Sequence, residues 1–320
     1  MNILVWHVHG SWMTAFVQGR HQYLVPVTDD RGPEGLGRAQ TFDWPGSVWE
    51  LSPPALHDAP IDVVILQRPW EEDLTEQWTG RRPGRDIPAV YLEHNTPKGD
   101  VPDTRHPMAD REDLVLCHVT HCNELFWDNG STRTVVIEHG IVDPGYRYRG
   151  DLARAAVVVN EPVRRNRTVG TDLLPRFAEA TPLDVFGMRT EGLAEHLVLP
   201  PDRCRSYELP QARMHDELAR RRMYVHPIRW TSLGLSLLEA MHLGMPVIAL
   251  ASTEAAEAVP PDAGVISTRV DTLVEAAAHY LAEPEAAAEA GHRARQAALA
   301  RYGLKRFLDD WESLLEEVSS

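Results

Sequence analysis

The sequence predicts an α/β protein made of two Rossmann-like halves facing a central cleft. Three observations carry that expectation. Short β-branched apolar runs alternate with longer amphipathic stretches, the rhythm of parallel strands covered by helices on both faces. The rhythm restarts after Asp143-Pro-Gly145, which divides the chain. At 320 residues each half is long enough to bury a core of its own.

In the first half, strands are expected at Ile3–Trp6, Tyr23–Val27, Val63–Gln67, Ala89–Leu92, Leu114–Val119 and Thr134–Ile137. Helices are expected at Trp12–Gln18, Glu72–Trp78 and Asn123–Asp128. In the second half the strands are Ala155–Val159, Leu183–Gly187, Met223–His226, Pro246–Leu250 and Gly264–Ile266. The helical patterns between and after them are Asp172–Ala180, Met214–Arg221, Leu235–Leu243 and Thr272–Leu281. From Glu283 onward the residues favour helix throughout. The last piece places Leu304, Phe307, Leu308, Trp311, Leu314 and Leu315 on one stripe at helical spacing, and a stripe of that kind must be buried. A ligand is expected in the crevice outside the strand C-termini.

Composition narrows the class. Hydrophobic residues make up 43% and charged residues 25%, ordinary for a globular protein. No apolar run reaches the ~20 residues of a membrane-spanning helix. The chain enters a strand at Asn2 with no basic leader, so neither membrane insertion nor export is expected. Three cysteines, Cys117, Cys122 and Cys204, form no disulfide framework and favour a reducing, cytoplasmic setting. A net charge of −15 argues against nucleic acid as a partner.

The chemistry concentrates between Tyr224 and Gly264. A strand ending at His226 leads through a loop with Gly234 into a helix, and Gly244-Met-Pro246 then opens the next strand. A loop feeding a helix N-terminus offers unpaired N–H groups and the positive end of the dipole, a natural seat for a diphosphate. Gly234 lets the backbone approach an anion closely, and Glu239, one turn in, is placed to accept from ribose hydroxyls. Two structural readings compete. Ser236 and Glu239 have the spacing of a capping box, and Gly244 that of a helix C-terminus.

The same stretch resembles the donor-binding motif of the retaining glycosyltransferases of family 4, written Glu-Gly-Phe-Gly-Leu-x-x-x-Glu-Ala-Met followed by Gly-x-Pro-Val. Gly234, Leu235, Glu239, Ala240, Met241, Gly244, Pro246 and Val247 stand in register. The resemblance implies the GT-B fold, with a C-terminal helix crossing back to the N-terminal domain. It implies an acceptor-side domain over residues 1–145 plus helix 303–320, and a nucleotide-sugar-binding domain over 146–302. Glu239 would hold the nucleotide ribose, and amides around Gly234, Leu235 and Ser236 the diphosphate. The segment Val136 to Asp143 resembles the family's interdomain stretch.

The match departs from the motif at its first glutamate, which contacts donor-sugar hydroxyls. That position falls on Thr231, which keeps a hydroxyl and loses the charge. An arginine and a lysine of the family fall on the loop with Arg164, Arg165 and Arg167. Arg164 matches the arginine, and no lysine is retained. Guanidinium groups there suit a phosphate, although a basic loop is also a common solvated feature. His94 resembles the family histidine that meets the donor sugar at the end of an N-domain strand. Gly10 lies in the loop that the family places near the donor phosphates and the acceptor, with His7, His9 and Trp12 beside it. With Gly10 alone there, no Gly-x-Gly-x-x-Gly fingerprint exists to support a dehydrogenase. Cys117, His118, His121 and Cys122 invite a metal reading, but alternation along a strand sends them to opposite faces, and core packing is expected.

Together these features imply transfer of a sugar from a nucleoside diphosphate donor to a small-molecule or glycan acceptor, with retention. His94, Arg164 and Thr231 would be the catalytic groups. No cofactor is expected, and no metal, because cations and a helix dipole supply the charge. An epimerase or phosphorylase of the same fold, or a catalytically silent sugar-nucleotide binder, stays open.

Overall fold

The computed structural model describes residues 1–101 and 103–320. The chain forms two compact units, Met1–Val142 with Leu304–Ser320, and Asp143–Gly303.

The first unit holds a seven-stranded parallel sheet ordered β3-β2-β1-β4-β5-β6-β7. Its strands are β1 (Asn2–Val5), β2 (Gln22–Pro26), β3 (Val48–Leu51), β4 (Val63–Leu66), β5 (Ala89–Glu93), β6 (Val115–His118) and β7 (Thr134–Val136). Every residue of β4, Val-Val-Ile-Leu, is buried, because helices cover both faces. The helix Leu304–Val318 belongs to this unit and buries Phe307, Trp311, Leu314 and Leu315. Trp311 meets the rings of Phe16 and Trp12 at centroid distances of 4.9 and 5.7 Å. That contact explains the apolar stripe at the chain's end.

The second unit repeats the plan with six parallel strands ordered β10-β9-β8-β11-β12-β13. They are β8 (Leu152–Val158), β9 (Leu183–Phe186), β10 (Cys204–Tyr207), β11 (Arg221–His226), β12 (Val247–Leu250) and β13 (Gly264–Ser267). Both sheets grow outward in one direction from their first strand and then in the other. The order therefore reverses beside β1 and beside β8, which leaves a crevice at the C-terminal edge between β8 and β11.

Two strands, β3 and β10, are absent from the expected set. Both are edge strands of four residues, Val-Trp-Glu-Leu and Cys-Arg-Ser-Tyr, with only the first residue of each fully buried. An edge strand needs no continuous apolar run, so its pattern is weak. The helix expected at Met214–Arg221 instead spans Gln211–Leu218, and Arg221 opens β11. Arg221 leaves the helix because its guanidinium is needed inside the sheet, on Asp184 of β9. The helix expected from Asp172 begins at Leu174, after a short 3-10 turn over Thr171–Leu173. No helix among the described residues is long and apolar enough to cross a membrane.

Candidate functional site

The helix Leu235–Leu243 is the centre of the second unit's C-terminal edge. Its residues from Leu237 to Leu243 are all buried, and Gly244 ends it in the left-handed region at φ 85°. Its N-cap is Gly234, with an extended backbone and no side-chain cap. The capping-box reading of Ser236 and Glu239 therefore fails. Ser236 sits inside the first turn, and its hydroxyl bonds the phenol of Tyr224 at 2.9 Å. No acceptor among the described residues takes the N–H groups of Leu235 and Ser236, as the geometry of a first turn requires. A Cβ on Gly234 would collide with the His226 imidazole, so the glycine makes room for that buried ring.

Glu239 points inward and is 4% exposed. Its Oε1 accepts from Gln211 Nε2 at 2.8 Å, and its Oε2 lies 3.4 Å from His215 Nε2. Gln211 and His215 are four residues apart on one face of the helix Gln211–Leu218, so a single helix face orients the carboxylate. Neither residue is legible as functional in the sequence, since the contact spans 28 positions and follows no short motif.

The loop after β8 lies against the loop after β11. Arg229 and Trp230 both donate backbone N–H groups to the carbonyl of Thr168, at 3.0 and 3.2 Å. The Arg229 guanidinium bonds the Asp172 carboxylate at 2.5 and 2.9 Å and the carbonyl of Arg167 at 2.8 Å. Gly170, at φ 75°, permits this approach, because a Cβ there would strike the carbonyl of Pro227. Arg229 is thus the rivet between the loops, a role that an arginine in a polar stretch does not announce in sequence.

The three arginines of the first loop differ in what they touch. Arg164 is exposed and paired with Glu161, and Arg167 is exposed and paired with Asp172 at 3.0 Å. Glu161 also takes Arg189 at 2.7 Å and sits at φ 52°, an unusual backbone for a residue with a side chain. Arg165 is half-buried; its backbone N–H donates to the Glu161 carbonyl at 2.9 Å, and its guanidinium has no hydrogen bond or ion pair among the described residues. Burial, and then the charge of Arg164, lower its pKa. An unpaired, partly desolvated cation favours an anion as its partner. Thr231, half-buried, also has a hydroxyl with no partner among the described residues.

Two of the residues singled out in sequence lie in the first unit. Gly10 opens the helix Gly10–Phe16 after β1, packed against the Phe42 ring. His94 follows β5 and is 8% exposed. Its Nε2 meets Gln67 Oε1 at 3.0 Å, and its ring lies 4.0 Å from that of His9. Burial, with the imidazoles of His9 and His139 nearby, holds His94 well below its usual pKa. The other eight residues of the expected set fall on the two loops and the helix that flank the crevice between β8 and β11.

Burial keeps other histidines neutral as well, His9 being lowered to about 4 chiefly by desolvation. His118 and His226 are lowered to about 4 and His139 to about 3, each chiefly by desolvation. Unfolded histidine titrates near ~6.5, so above that pH both states are neutral and the stabilisation is complete. Below it the unfolded chain takes up protons that the folded chain refuses, and each histidine costs about 1.4 kcal/mol per pH unit. The melting temperature is expected to fall steadily between pH 6.5 and about 4.5. A melting curve recorded across that range that stays level would contradict this assignment.

Both sheets, their shared strand order and the helices around them make up the GT-B fold. Residues 189–297, within the second unit, match the family model of glycosyl transferases group 1. Sucrose-phosphate synthase from Thermosynechococcus elongatus is similar over 99% of each chain, at 15% identity and a TM-score of 0.73. HepE of Anabaena in complex with UDP-glucose is similar over 99% of this chain and 100% of its own, at 14% identity and a TM-score of 0.68. WaaG, a glycosyltransferase involved in lipopolysaccharide biosynthesis, covers 100% of this chain and 98% of its own, at 15% identity and a TM-score of 0.65. At such identities the likeness is one of fold. No curated protein sequence matches.

Proposed function

We propose that this chain transfers a glycosyl group from a nucleoside diphosphate sugar to a small-molecule or glycan acceptor, with retention at the anomeric carbon. One observation carries the reading. A half-buried arginine without a carboxylate, Arg165, shares an edge with unpaired first-turn amides of a helix. Cleaving the bond from the anomeric carbon to phosphate oxygen leaves the electron pair on a diphosphate. Preorganised cations and N–H dipoles stabilise that charge as it develops. The family of the domain and the UDP-glucose held by a similarly folded protein agree with a nucleotide sugar as donor.

In this reading Arg165, with Arg164 and Arg167, and the amides of Gly234, Leu235 and Ser236 receive the diphosphate. Glu239 accepts from the ribose diol, Thr231 and His94 orient the sugar, and Gly10 lies near the phosphates. Glu239 already holds Gln211, so a ribose hydroxyl either joins or replaces that amide. Thr231 can orient a sugar hydroxyl without adding negative charge beside the phosphates. We assign the activity to the cytoplasm, in keeping with three cysteines that form no disulfide among the described residues.

Calorimetric titration with UDP and UDP-glucose tests this. Glu239→Ala is expected to weaken UDP binding about 10- to 100-fold, the worth of hydrogen bonds to a buried carboxylate. The second unit should stay folded. UDP affinity unchanged in the folded variant would refute the ribose assignment. Wild-type protein that binds UDP-glucose yet neither transfers nor hydrolyses it would favour the silent binder.

A further inference from the structure

We propose that Gln67 is a positioning residue that fixes the imidazole of His94 as its Nε2–H tautomer, leaving Nδ1 as the ring's hydrogen-bond acceptor. The proposal rests on the reading above in one respect, that His94 meets the donor sugar.

The argument is one of donors and acceptors. Gln67 follows β4 and is 5% exposed. One end of its side-chain amide lies 2.7 Å from the carbonyl oxygen of Trp6, which can only accept, so that end must be the NH2 group. The other end is then the carbonyl Oε1, 3.0 Å from His94 Nε2. Since Oε1 cannot donate, the proton of that bond belongs to Nε2. A buried imidazole held neutral carries one N–H, so Nδ1 carries none. The other tautomer would set a lone pair against a lone pair between two buried side chains.

Gln67 cannot easily turn to accommodate that alternative. Turning the amide would set its Oε1 against the Trp6 carbonyl, and the backbone is fixed too: the Gln67 backbone N–H donates to the Glu71 carboxylate at 2.6 Å and its backbone carbonyl receives the Tyr91 hydroxyl at 3.4 Å. Glu71 is fully buried and is itself held by Arg68 Nε at 2.6 Å. Arg68 and Glu71 therefore anchor the backbone of Gln67, and the Trp6 carbonyl orients its amide, which sets the ring atom of His94 that bears the proton. In this tautomer the ring donates only from Nε2, to Gln67, and offers no proton from Nδ1.

The test uses the full chain labelled with 15N-histidine and long-range 1H–15N correlation spectra. His94 is assigned by its absence from the spectrum of His94→Gln. The expected wild-type pattern is protonated Nε2 with unprotonated Nδ1. Gln67→Leu should shift His94 toward Nδ1–H and lower kcat with UDP-glucose by roughly 10- to 100-fold, as misplacement of an orienting group does. UDP affinity should stay unchanged. Gln67→Glu, which keeps an acceptor opposite Nε2, should keep the tautomer. An Nδ1–H signal in the wild type, or an unchanged tautomer in Gln67→Leu, overturns the proposal. A shifted tautomer with unchanged kcat upholds the lock and removes the sugar contact assigned to His94. Should Gln67→Leu not fold, the wild-type spectrum alone decides.

Discussion

Replacing Asp184 by alanine is expected to destabilise the second unit by about 3–5 kcal/mol, the cost of stripping a buried ion pair of one partner. Asp184 lies on β9 and is 1% exposed. Its Oδ1 meets Arg154 Nε at 2.7 Å, and its Oδ2 meets Arg221 Nη2 at 2.7 Å and Nε at 2.8 Å. Arg221 is itself 3% exposed, and its guanidinium lies over the rings of Phe186 and Tyr207 at 5.1 and 5.5 Å. Without Asp184, the Arg221 cation stays among aromatic rings with Glu217 as its one remaining ion-pair partner among the described residues. Asp184→Asn keeps the shape and one acceptor and should lose less. Equilibrium unfolding in urea measures both. A loss below about 1 kcal/mol for Asp184→Ala would mean that water reaches this carboxylate, as at exposed pairs.

Arg165→Ala carries the largest expected effect on activity. Removing a group that meets charge developing in a transition state costs about 100- to 1,000-fold in kcat. Arg164 and Arg167 flank Arg165 in sequence, but each is exposed and already neutralised, by Glu161 and Asp172 respectively. Alanine at either position should cost less than about ten-fold, in line with the small worth of exposed pairs. The melting temperature of Arg165→Ala should hold or rise, because a half-buried unpaired cation is removed. Arg165→Lys should restore part of the rate, since ammonium supplies the charge without the planar fork. Steady-state kinetics on the three alanine variants would contradict this ranking if Arg164→Ala proved the most damaging.

That ranking differs from the one the sequence supports, and the reason is physical. Motif register favours Arg164, whereas the structure shows Arg164 engaged by Glu161 three residues before it. Sequence spacing locates a basic loop and cannot say which of its cations is already paired. The strand–loop–helix from Tyr224 to Leu243 was legible because a short apolar core of strand leads through Gly234 into a mostly apolar helix closed by Gly244. The strands β3 and β10 were not, because edge position relaxes the apolar pattern. The partners of Glu239 were also hidden. Gln211 and His215 reach it only through the packing of one helix beside another. The role of Gly234 was legible only in part. Its missing side chain is spent on the ring of His226, and the room left for an anion comes from the helix's unpaired amides.

The central claim is that an anionic nucleotide sits at the second unit's edge between β8 and β11. Hydrogen–deuterium exchange with and without UDP tests it most directly. The account predicts slowed exchange over residues 160–170 and 228–240, including the amides of Leu235 and Ser236. Protection confined to other segments, or no change on these two loops at saturating UDP, would contradict it.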